Sequence, residues 1–164
     1  MTDPIASRAL RHMAWANGQM LTILSQLPDE AINFSAWNPD WTVGKIVHHI
    51  VSAQGRLIAR ISGEGAPEEL PELTTAAGVS DVIPVFKQRD ARILDLSSGP
   101  DQLRQFVLYG NEVEFLTSTL FAQAVHHATE HRAQISDILA INKMDVLNLD
   151  SISLFPFEKW ERSQ

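Results

Sequence analysis

Between about Ser118 and Asn142 the apolar residues recur with the period of an α-helix. The centre of that pattern reads Ala124-Val125-His126-His127-Ala128-Thr129-Glu130-His131-Arg132-Ala133-Gln134. A helix this long must bury one stripe along its side, which directs the chain toward packing helix on helix. Ala124, Ala128, Ile135 and Ile138 share the stripe with His127 and His131, whereas His126 falls with Glu130, Ala133 and Asp137 on a more polar side. Side chains four apart stack on one helical face, so His127 and His131 can reach one point in space. A lone inward histidine is ordinarily hydrogen-bonded core. Two on one stripe leave four ring nitrogens needing partners, and a shared divalent ion removes much of that cost. Both readings of the pair stand at this point.

The 164 residues suffice for one ordinary domain, 1–164, with a sizeable core, and the 45% hydrophobic fraction is that of a globular chain. A formal charge of −7 argues against nucleic acid as a partner, which needs a basic footprint. No apolar run approaches the ~20 residues of a membrane span, and no signal-peptide pattern opens the chain, so a cytoplasmic protein without a membrane partner is expected. Cysteine is absent. That excludes disulfides, thiolate metal sites and a cysteine nucleophile; a metal would be held by histidine, carboxylate or water, and sulfur chemistry would need sulfur brought by a substrate.

In chain order, Asp3-Pro4 reads as an N-cap followed by proline at the first helical position. Leu10, Met13, Ala14, Asn17, Met20, Leu21 and Leu24 continue a stripe that stops before Leu27-Pro28-Asp29. The aromatic connector that follows, with Phe34, Trp37 and Trp41, has no helical period and is expected to cap the core in preference to forming a ligand platform. Thr42 is the expected N-cap of a second helix to about Ile61, ended by Ser62-Gly63. Its stripe of Ile46, His49, Ile50, Ala53, Leu57 and Ile61 turns His49 inward, and leaves His48 outward with Lys45, Ser52 and Gly55.

From Ser62 to Val79 the chain is rich in glycine, proline and glutamate, a solvated loop or a cover over a site entrance. Ser80 or Asp81 is expected to cap a third helix to about Leu96, with Pro84 in its first turn. Phe106, Leu108, Val113 and Phe115 alternate around Tyr109-Gly110-Asn111, which predicts a short hairpin or extended segment. Thr117 or Ser118 starts the fourth helix. The tail beyond Asn142 is apolar enough to pack back, through Leu147, Leu149, Leu154, Phe155, Phe157 and Trp160.

Three stretches carry a resemblance. Trp15-Ala16-Asn17 is similar to an aromatic-x-Asn start, Thr42 to Ile50 to a Ser/Thr-led helix with a histidine seven residues on, and His127-x-x-x-His131-Arg132-x-Gln134 to an H-x-x-x-H-R-G-Q signature, with Ala133 where glycine is usual. Together they resemble the DinB/YfiT superfamily, whose members are regarded as metalloenzymes. The resemblance implies an all-α four-helix bundle, often a homodimer joined through helix one or the exposed side of helix two. It implies a divalent ion, zinc or nickel foremost, on His49, His127 and His131. It also implies a thiol-dependent transferase or isomerase that acts on a small-molecule substrate with a low-molecular-weight thiol as cosubstrate.

The chemistry of three imidazoles agrees with this. An ion held by three side chains keeps positions for water or substrate, and can hold a thiol as its thiolate at neutral pH. No general base is legible; Glu130 adjoins His131 but points off its face. Two rivals remain. One is a metal- or small-ligand-binding bundle without turnover. The other, a metal-dependent hydrolase, rests on the match of residues 127–131 to H-x-x-E-H; such enzymes need an acidic ligand well downstream, where only the tail glutamates Glu158 and Glu161 remain.

Overall fold

The computed structural model describes residues 4–65 and 67–164; the expected Asp3 cap lies outside them. The chain is mainly helical. Four long helices, α1 (Pro4–Leu24), α3 (Val43–Ser62), α4 (Ala76–Leu96) and α5 (Thr117–Ile141), are accompanied by a short α2 (Asp29–Ile32), two strands, β1 (Leu103–Leu108) and β2 (Asn111–Leu116), a 3-10 turn at Leu149–Ile152 and α6 (Leu154–Glu161). α1 and α3 each pack on both α4 and α5, so the four long helices close a ring around their apolar stripes. Along α1 the buried residues are Leu10, Met13, Ala16, Met20, Leu21 and Leu24, with Asn17 buried among them; Ala14, expected on this stripe, is only half-buried and Ala16 takes its place.

α3 starts where the Thr42 hydroxyl accepts from Lys45 N at 3.2 Å, and stops at Gly63, whose φ of 77° is the left-handed conformation that favours glycine. Its buried face is wider than one stripe and takes in Val47, Val51 and Ile58. Two residues expected to face outward do not. Gly55 is buried with Pro67 and Arg89 against it, and His48 is half-buried with its ring nitrogen 3.0 Å from Leu70 O. The cause is the segment 67–73, which folds back over α3 as a cover. At Gly44 the Leu73 carbonyl comes so close to the helix that no side chain fits.

α4 begins more than a turn earlier than expected. Its cap is Thr75, whose hydroxyl accepts from Gly78 N at 3.0 Å, and not Ser80 or Asp81. Ala76-Ala77-Gly78 reads as loop because it carries no apolar stripe. Pro84 therefore sits in the helix interior, not the first turn. It cannot donate to the Ser80 carbonyl, a defect of ~3 kcal/mol. Both residues are exposed, so that carbonyl meets solvent, while Val79, Val82 and Phe86 bury on the opposite side.

β1 and β2 pair antiparallel from Leu103↔Leu116 to Leu108↔Asn111, closed by Tyr109-Gly110 at φ 50° and 81°. Two central residues with positive φ make a type I′ turn, which matches the twist of a hairpin. Asp101 then caps α5: its carboxylate accepts from Ser118 N (2.8 Å) and from the hydroxyls of Thr117 (2.9 Å) and Ser118 (2.8 Å).

The tail packs back in part. Leu147 and Phe157 are buried, α6 lies on α1, and His12 Nε2 is 2.9 Å from Ile152 O. Phe155, by contrast, is 81% exposed. In the connector, Phe34 and Trp41 pack on the core, but Trp37 is 83% exposed and caps nothing. Among the described residues no helix is long and apolar enough to cross a membrane.

Candidate metal centre

α3 and α5 pack side by side and bring His49 to the i, i+4 pair His127 and His131. His127 Nε2 stands 2.9 Å from His49 Nε2 and 3.1 Å from His131 Nε2. The ligand atoms of all three lie within 4.8 Å of one another, the one such cluster among the described residues. Ring nitrogens sharing one ion at about 2.0–2.1 Å lie ~3 Å apart, as the two His127 separations do, and three imidazole donors are the chemistry that a divalent metal accepting nitrogen ligands requires.

The hydrogen bonds around the cluster settle one tautomer. Gln134 Oε1 lies 3.2 Å from Trp41 Nε1 and 2.8 Å from His131 Nδ1. An indole N–H only donates, so the amide atom facing it is the oxygen; His131 Nδ1 faces the same oxygen and must carry the ring proton. Its Nε2 is left with a lone pair directed at the other two rings, the arrangement that outer partners impose on a metal-ligating histidine. Trp41 also packs edge-on against His49 and His131, with ring centroids 5.3 and 5.9 Å away.

Burial first, and nearby positive charge second, disfavour protonation of His127 and His49. Burial, then the nearby His131, His49 and Arg56, pushes His127 down to about 4, and burial with His131 and Arg56 also lowers His49. At neutral pH both are free bases, the form a metal requires.

The other polar histidines lie elsewhere. His126 is exposed and pairs loosely with Glu130, Nδ1 to Oε2 3.8 Å; both line a different cleft, between α1 and α5, together with Ala133. Glu130 thus stands off the triad, which removes the residue that the H-x-x-E-H reading needs. His48 is bound to the 67–73 cover.

Two features escaped the sequence. Trp41 is part of the site and not only a core cap; its position directly before the Thr42 cap was the available signal. Arg132, 3% exposed, joins Asn17, Gln54 and Asp90 in a polar layer with one residue from each long helix. Arg132 Nη1 donates to Asn17 Oδ1 at 2.7 Å and Gln54 Nε2 to Asp90 Oδ1 at 2.5 Å. Burial pushes the Asp90 carboxyl up to about 7, opposed by the Asn17 amide, the Arg132 charge and the Gln54 amide. Asn17 Nδ2 itself makes no hydrogen bond, so the Asn17 amide acts on Asp90 at longer range.

A family model described as the DinB family matches residues 1–140. The fold is similar to the crystal structure of a DinB-like protein from Bacillus cereus ATCC 10987, with a TM-score of 0.60 and 18% identity over 85% of this chain and 93% of that one. No curated protein matches the chain. The family model and the four-helix ring agree: this chain belongs to the DinB family.

Proposed function

We propose that His49, His127 and His131 hold a divalent metal ion in a DinB-type four-helix bundle, and that the protein is a metal-dependent transferase or isomerase acting on a small molecule with an external low-molecular-weight thiol. The observation that carries this reading is the convergence of three ring nitrogens from α3 and α5, with the His131 tautomer set by Gln134. Bound there, such an ion supplies Lewis acidity and holds a thiol in its deprotonated form. The residues do the remainder. Gln134 and Trp41 orient His131, burial keeps His49 and His127 unprotonated, and the 67–73 cover narrows the approach to His49. No fourth histidine or carboxylate among the described residues joins the cluster, which favours chemistry over a closed structural site. The thiol comes from outside because the chain has no cysteine.

The test is a cobalt-loaded sample titrated with a panel of small thiols. A sulfur-to-cobalt charge-transfer band with at least one of them supports the reading; metal uptake with no thiol bound favours a binding protein without thiol chemistry.

A further inference from the structure

His49 opens onto a cleft of about 690 Å³ between α3 and the segment 67–73. Along its α3 side Lys45, His49, Ser52 and Arg56 follow one another a turn apart. Arg56 is exposed and makes no hydrogen bond or ion pair within the described structure. Neighbouring arginines are engaged. Arg60 lies over the Phe106 ring at 4.7 Å, Arg89 donates to Val51 O at 2.6 Å, and Arg92 binds Glu64 at 2.8 Å.

Arg56 stands among other nitrogen bases of α3 and α5. Its charge is felt at His49, His127 and Arg60, each of which it makes harder to protonate. A long side chain on a helix leans toward the helix N-terminus, so Arg56 lies over the turn that leads back to His49. Glu68, Glu69 and Glu72 stand across the cleft, and none forms an ion pair with it. The fold thus holds an unneutralised guanidinium beside the triad.

We propose that the cleft takes a small substrate or cosubstrate bearing a carboxylate, which Arg56 binds through its planar fork while the other end of the molecule reaches the histidine cluster. This deepens the metal-and-thiol reading and rests on it. A guanidinium matches a carboxylate in two parallel hydrogen bonds. The three glutamates opposite disfavour a dianion, which selects a carboxylate over a phosphate.

The test compares 3-mercaptopropionate with 3-mercapto-1-propanol on cobalt-loaded protein, read by charge-transfer absorption. The acid should bind wild type about tenfold tighter than the alcohol. Arg56→Met should erase that preference while cobalt content and alcohol affinity stay unchanged, and Arg56→Lys should keep part of it. Equal affinities in wild type, a preference that survives in Arg56→Met, or inorganic phosphate competing better than propionate overturns the proposal. If wild type takes up no cobalt, the metal reading fails, and the anion subsite is then judged separately in the metal-free protein. There propionate should shift the ring NMR signals of His49 and His127 in wild type but not in Arg56→Met; unshifted signals in wild type overturn it.

Discussion

Trp41 Nε1 and Gln134 Oε1 meet at 3.2 Å across 93 residues of sequence. This one hydrogen bond sets which way the Gln134 amide faces, and so which nitrogen of His131 carries the proton. A residue ahead of the second long helix thereby governs the histidine-bearing face of α5.

Removing the amide tests this. Gln134→Leu should weaken metal affinity by about 10–100-fold, the usual effect of losing an outer partner of a ligand histidine. Gln134→Glu should retain most of it, since a carboxylate accepts from both donors. Competition against a chromophoric chelator measures the difference; equal affinity in wild type and Gln134→Leu would mean that the amide orients nothing.

A second expectation concerns the cover over α3. A Cβ at Gly44 would collide with the Leu73 carbonyl and lie 2.9 Å from Ile32 Cγ2. Gly44→Ala should destabilise the fold by about 1–3 kcal/mol, as overpacking does, and speed hydrogen exchange in 67–73. The nearby Gly65→Ala, with open space around it, serves as control. Unchanged exchange in Gly44→Ala would show that the cover is not held there.

Stability should depend on pH through Asp90. Its folded value of about 7 lies above the ordinary 3.8 because burial outweighs its partners. The folded state keeps a proton that the unfolded chain has released, so the stabilisation is complete below about pH 3.8 and is lost as pH rises through 7. In metal-free protein, Asp90→Asn should therefore gain on wild type by a few kcal/mol between pH 4 and pH 8, read by urea unfolding. A variant-to-wild-type difference equal at both pH values would contradict the buried, proton-holding carboxyl.

Much of this architecture is legible in the residues because helical period and caps are local signals. The stripes of α1, α3 and α5, the Thr42 cap, the Gly63 stop and the turn at Tyr109-Gly110 all stand in the sequence. The inward turn of His49, His127 and His131 is legible for the same reason. What was not legible depends on contacts between distant segments. The burial of Gly55 and the half-burial of His48 come from the cover at 67–73, whose path has no period to read. The early start of α4 hides in Ala76-Ala77-Gly78, which buries too little to mark a helix. Arg132 stands in the His127-x-x-x-His131-Arg132-x-Gln134 pattern, but its burial becomes visible only when Asn17, Gln54 and Asp90 arrive from the other three helices.

The central claim is that three histidines from two helices form one metal site, and elemental analysis of purified, untagged protein tests it most directly. Wild type, His48→Ala and His126→Ala should each carry close to one divalent ion per chain, because His48 binds the cover and His126 faces another cleft. His49→Ala, His127→Ala and His131→Ala should each lose it. A wild type that takes up no metal on reconstitution, or metal retained in all three variants, would contradict the account and leave the cluster as core packing.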